Sequence, residues 1–423
     1  MKPILKALLA TALLCGAALA SAASTVETYA TLSFWESPVQ ALRPESPISA
    51  AEAQTRNHFR VLRDEQGRIT EFSYRLGDEI RDIEGFFGSL YLSAPLTRIR
   101  YEGATETHTF FNRFGHQIEA AGRYQSVYQL DRFGRYQSLR YQNAKGEPAA
   151  NSWGAQAYRW EYPADGSVIE ERFDAQGLPR VHRRGFEFMR IRMVFDPRGH
   201  LALMQNIDAA GKLLNSKSGA AQYRYFYDDL GRFIRWEIYD AAGQPALGPT
   251  KTAGEENRYQ GNELESITFF GLQGEPVLHD SGAARWLLQH DRFGNTTQVS
   301  YLGLKHEPVR SSYGVGQTRY HFSEDGRFLT STAFHDIDGK PLADPEWGFA
   351  KTRITRDPRG LMRQLEYLDI NGKRVNRRDT GVAYQTFEHD AQGVRTATLR
   401  FDGAGKPVPM PGSSRPAPRS VAP

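Results

Sequence analysis

The sequence predicts an all-β protein, an array of about nine β-hairpin repeats of ~32 residues forming an elongated or coiled, closed sheet. Three observations predict it: glycines that recur in step, an Asp-led turn word ending on the first of them, and period-two alternation after it. The composition agrees, because 12% aromatic residues with 39 Gly and 22 Pro favour strands punctuated by turns over helices.

The first glycine of each unit is Gly134, Gly166, Gly199, Gly231, Gly294, Gly326, Gly360 or Gly393, with Asn262 filling the gap. A second follows at Gly146, Gly177, Gly211, Gly243, Gly274, Gly339, Gly372 and Gly405, with His306 standing in for it once. A third marker opens the units at Gly154, Gly185, Gly219, Gly254, Gly282, Gly348 and Gly381. The first glycine closes words such as Asp131-Arg-Phe-Gly134, Asp228-Asp-Leu-Gly231 and Asp357-Pro-Arg-Gly360. Asp at the first position and Gly at the fourth mark a type I turn, and Pro358 fits the fixed φ of its second position. Gly takes the left-handed conformation that completes the hairpin, and His306 is tolerable there because His is enriched at positive φ.

Five and seven residues after the first glycine come Leu139 and Tyr141, Trp236 and Ile238, Ile267 and Phe269, Val299 and Tyr301, and Leu365 and Tyr367. The intervening positions are polar, as at Arg140 and Glu237. This is the pattern of a half-buried strand. A second strand precedes the turn, as in Tyr223-Arg-Tyr-Phe-Tyr227, and Gly-x-Pro words such as Gly243-Gln-Pro245 mark where pairing stops. A single unit cannot bury its apolar face, so the array has to be continuous.

The word Tyr227-Asp-Asp-Leu-Gly-Arg232, with its looser form Leu130-Asp-Arg-Phe-Gly-Arg135, resembles the YD repeats of bacterial RHS-type proteins. The resemblance covers residues 122 to 408. It implies a secreted β-strand array of a kind associated with carbohydrate binding or with shells around toxins.

Outside the array the sequence changes character. Residues 1–22 read as a signal peptide: Lys2 and Lys6, an apolar run from Ala7 to Ala20, then small residues at Ala20-Ser21-Ala22. Cleavage near Ala22 removes Cys15, the one cysteine, and with it any disulfide or thiol chemistry. It also removes two lysines and no acid, lowering the formal charge of +4 by two. A near-neutral folded part gives no basic footprint for nucleic acid. The expected location is periplasmic or extracellular, with no integral membrane segment after cleavage. Residues 23–57 read as a loosely ordered lead, 58–121 as a degenerate repeat region capping the array, and 409–423 as a disordered Pro-rich tail.

No catalytic, cofactor or metal motif emerges. The turns place Arg, Phe or Pro between Asp and Gly, where a calcium site needs several oxygens converging on one ion. The histidines lack zinc spacing, and Glu170-Glu171 and His335-Asp336 are strand neighbours whose side chains diverge. The candidates for binding are Trp153, Tyr313 and Trp347, each just before a glycine in the loop that opens its unit. Such aromatics can stack on sugar rings, anchor a protein, or pack against the neighbouring unit. The function expected is therefore a non-catalytic binding or scaffold protein presenting an extended surface to a carbohydrate or protein partner. The alternative is a cell-envelope hydrolase or lyase with its site in a groove across repeats.

Overall fold

The computed structural model describes residues 25–40, 42–83, 92–183 and 186–409. The signal-peptide reading with Cys15, the third marker Gly185 and nearly all of the Pro-rich tail lie outside those residues. Among the described residues there are 26 strands and one six-residue helix, Ala50–Thr55, started by a Ser49/Glu52 capping box. The strands form a single antiparallel meander. Thr25–Leu32 pairs with Asn57–Arg63, and the zigzag then continues to the last pair, Tyr384–His389 with Arg395–Phe401. The expected all-β hairpin array is what the chain forms, and strand pairing does not close it into a ring.

Each first turn is built as its residues dictate. In the 228–232 turn, Asp228 Oδ1 accepts the backbone N–H groups of Leu230 (3.0 Å) and Arg232 (2.9 Å). Gly231 sits at φ 81, and the pairing slips by one residue between Phe226 and Tyr227. A type I turn followed by a left-handed residue and a bulge matches strand twist. The second turns use the same device: Asp369 accepts from Asn371 and Lys373 at 2.9 Å each. His306 adopts φ 63 in the position its counterparts fill with glycine. Replacing it with Gly relieves left-handed strain and should stabilise the chain by roughly 0.5–1 kcal/mol in urea unfolding; an unchanged or lower midpoint would contradict that.

Two markers fall differently from the sequence reading. Gly261, at φ 61, and not Asn262, takes the left-handed position of a tight turn in which Gln260 pairs Glu263. Gly254 opens the strand Gly254–Gln260, and its unit's opening turn lies earlier, where Lys251 takes φ 66. Gly254 is needed for space, since a Cβ there would sit 2.2 Å from both the Phe270 ring and the Trp236 carbonyl.

Alternation then fills the core. Leu139, Tyr141, Ile267, Phe269, Tyr301 and Tyr367 are buried, while Trp236, Val299 and Leu365 pack half-buried against the same clusters. Where a loosely ordered lead was expected, residues 25–57 carry two strands and the helix, and bury Glu36 and Ser37 completely.

This early region also fastens the array. The strand Asn57–Arg63 runs toward its own first turn, so Asn57 lies at the opposite, second-turn edge. Asn112 lies there too, since Thr105–Phe111 runs antiparallel to Gln125–Leu130, the strand leading into Asp131. That early edge docks on the first-turn edge of later units. Asn57 N donates to Phe293 O at 2.8 Å, Arg81 Nη1 to Asn295 Oδ1 at 2.8 Å and Asn112 Nδ2 to Gln392 O at 3.0 Å. Arg56 pairs with Glu263, and Arg113 donates to Arg359 O. The sheet thus coils back by edge-to-edge docking.

Candidate binding site in the unit-opening loops

The opening loops are a third family of turns, with Gly154, Gly219, Gly282, Gly314, Gly348 and Gly381 all at positive φ. Backbone bonds lace neighbouring loops together: Asp280 N to Thr250 O at 3.1 Å, Ser312 N to Ser281 O, and Arg378 N to Trp347 O at 3.0 Å. They lie at the second-turn edge, so the prediction of one shared edge describes their arrangement.

Two of the three predicted aromatics meet. Tyr313 and Trp347, from consecutive units, line one small pocket of about 20 Å³ with Tyr301, Phe334, Asp344 and Glu346. Asp344 Oδ1 accepts the backbone N–H groups of Glu346 (2.8 Å) and Trp347 (2.7 Å) and so fixes the loop. Burial pushes the Asp344 carboxyl up against those two bonds. Trp347 is half-buried, its ring nearly parallel to Phe349 at 5.8 Å and 6.2 Å from Phe334, with the Arg377 guanidinium 5.3 Å away. Trp153 is half-buried in the equivalent loop of an earlier unit, held by Asn151 Oδ1, and does not line that pocket.

The strongest electrostatic feature lies in the core, and sequence reasoning passed over it. Glu170 and Arg172 are fully buried neighbours on one face of the strand Val168–Phe173. Glu170 accepts from Arg172 Nη2 at 2.6 Å, from Trp160 Nε1 at 2.8 Å and from the Ser37 hydroxyl. Burial is the largest single influence and opposes its ionisation, but Arg172, His182, Ser37 and Trp160 together outweigh it and the carboxyl is held below the ordinary range. Beside it, Glu36 takes Arg183 Nη2 at 3.0 Å and contacts His182 Nε2 at 3.3 Å. Burial again opposes the charge, and Arg183 and His182 bring the Glu36 carboxyl down to about 2. The segment bearing Glu36 is braced internally, with Gln40 Oε1 accepting from the backbone of Glu36 (2.7 Å) and Ser37 (3.0 Å). Phe34 stacks on Phe233 at 4.5 Å. These carboxylates are paired and shut off from solvent, so they dock a segment of chain and do not line a groove open to substrate.

The signal for this cluster is a turn. Pro163-Ala-Asp-Gly166 lacks the leading Asp, and its hairpin pairs Trp160 with Glu170 without the usual bulge. Losing one bulge residue flips the following strand, turning Glu170 and Arg172 inward where Leu139 and Tyr141 point inward in the preceding unit.

Among the described residues no group of three or more His, Cys, Asp or Glu is placed to hold a metal, and no helix is long and apolar enough to cross a membrane. No family model matches the chain, and no curated protein does. Among solved structures, the crystal structure of TcdB2-TccC3-TEV is 10% identical with a TM-score of 0.25, covering 85% of this chain and 20% of that one. TcdB2-TccC3 without its hypervariable C-terminal region gives 11% and 0.29, covering 85% and 21%. A porin-like protein from Bacteroides vulgatus gives 11% and 0.17, covering 72% and 98%. The chain spans about a fifth of the length of the first two.

Proposed function

We propose that this is an exported, non-catalytic binding or scaffold protein of the periplasm or cell exterior, presenting an extended β-repeat surface to a carbohydrate or protein partner. The observation that carries the reading is the convergence of Tyr313 and Trp347, from consecutive opening loops, on one pocket beside two carboxylates. The pocket itself, at about 20 Å³, takes no more than a water, so a sugar ring or a protein side chain would lie against the aromatic pair and not inside it, on loops already laced in place. Turn chemistry is the same from unit to unit, so specificity has to come from the positions that differ, which the opening loops supply.

Alanine substitution at Trp153, Tyr313 and Trp347, singly and together, separates binding from packing. Trp347→Ala removes a ring packed on Phe349 and should cost about 1–3 kcal/mol of stability. Tyr313→Ala should leave the melting temperature unchanged yet abolish capture on a glycan array or by a protein partner. Lowered melting in the triple variant with capture intact would show that these rings only pack.

A further inference from the structure

A second recessed site lies where the early strand Pro44–Pro47 meets the first turns of two later units. It is an open cleft of about 390 Å³ lined by Arg43, Glu45, Ser46, Arg198, His200 and Asp229. That volume falls within the roughly 300–1,000 Å³ of small-ligand sites.

The cleft is built and only half satisfied. His200 is fixed between two carboxylates, Asp196 at 3.1 Å from Nδ1 and Glu45 at 2.9 Å from Nε2, and stacks on Tyr227 at 4.5 Å. Arg198 clamps the carbonyls of Asp228 (2.8 Å) and Asp229 (3.1 Å), which sets the turn that carries Asp229. Against this rigid frame, two charged side chains of the cleft have no partner among the described residues. The Arg43 guanidinium lies against Gly199 with no hydrogen bond or ion pair, and the exposed Asp229 carboxylate has none either. Ser46 is only 5% exposed, its hydroxyl is buried and unbonded, and its backbone is held at φ 56. A non-glycine residue in that conformation costs of order 1–2 kcal/mol, a strain that clusters at functional positions.

We propose that this cleft binds an uncharged, hydroxyl-rich ligand, a neutral saccharide. Charge selects the class. Two arginines face Glu45 and Asp229, so an anion meets the carboxylates and a cation meets the guanidinium groups. A sugar hydroxyl both donates and accepts, and it satisfies Arg43 and Asp229 together. The apolar flank is Leu230, 51% exposed at the cleft wall, which can cover a sugar's C–H face. The inference rests on the carbohydrate half of the function proposed above, at a separate site.

The test is calorimetric titration of the full chain with maltohexaose, cellohexaose and chitohexaose, and with hexagalacturonate as the charged counterpart. At least one neutral hexamer should bind. Asp229→Asn, on an exposed side chain, should weaken it about tenfold at unchanged melting temperature, and Arg43→Gln should do the same. Tyr313→Ala should leave this binding intact, so loss of the loop site and loss of the cleft can be told apart. Binding of no neutral hexamer, binding indifferent to both cleft substitutions, or tighter binding of hexagalacturonate would each overturn the proposal.

Discussion

Arg172→Ala is expected to be the most damaging single substitution in the chain, costing about 3–5 kcal/mol. The guanidinium it removes is fully buried and gives Glu170 its main compensating charge. Trp160 and Ser37 would remain on the carboxylate, but neither carries charge. The penalty is that of an ion stranded in the core, and not merely of a lost contact. The double variant Arg172→Met with Glu170→Gln should recover much of the loss, because it removes both charges together. Equilibrium urea unfolding of Arg172→Met, Glu170→Gln and the double measures the coupling, with Arg172→Ala unfolded alongside. If Arg172→Ala costs less than about 1 kcal/mol, the buried pair is not what organises this part of the core.

Glu255 sets the second large effect, and it depends on pH. Its side chain lies half-buried opposite Trp236, with no hydrogen bond or ion pair among the described residues. Burial pushes its carboxyl up to about 7; Arg183 opposes that and Glu36 adds to it. A carboxyl with a raised value in the folded state favours folding when protonated. Its penalty is therefore absent below the ordinary glutamate range, grows as pH climbs toward 7, and is complete above it. Glu255→Gln should raise stability by roughly 2 kcal/mol near pH 8 and leave it unchanged near pH 4. The comparison is of melting curves for the two proteins across that window. Equal stabilities at pH 8, or a gain that persists at pH 4, would rule out a strained carboxylate at this position.

The sequence reading and the structure agree where the physics is local. Asp and Gly four residues apart dictate the turn without help from the rest of the chain, and even His306 could be placed in its left-handed position. Alternation named the inward face of most strands, because one side of each hairpin has to be buried. The reading fell short where one residue in a turn decides the outcome. In the 163–166 turn the bulge is absent, so Glu170 and Arg172 rotate into the core, although the side chains around them still alternate. It fell short again where contacts span the chain. Nothing local to Glu36 or Asn57 announces that their partners are His182 and Arg183, or the Phe293 carbonyl. The apparently irregular first hundred residues therefore read as a lead and a cap, whereas their second-turn edge lies along later first turns and carries the seam. For the candidate site, the loop aromatics were legible from their place before a glycine. That Tyr313 and Trp347 share a pocket follows from the stacking of consecutive units, which is a tertiary fact.

Any partner would meet a surface whose shape depends on that seam, so the seam is the point to test. Hydrogen exchange on the intact chain reads it directly through amides that are protected only while the early region stays docked. Asn57 N–H is bonded to a carbonyl far along the chain, at Phe293, and the amides of Glu36 and Ser37 are bonded to the Gln40 side chain inside the buried segment. If the early region fastens the coil, these amides exchange as slowly as those of central strands such as Leu201–Asn206. Exchange of all three at the rate of an exposed turn would show that the array stands open and that the seam does not hold it.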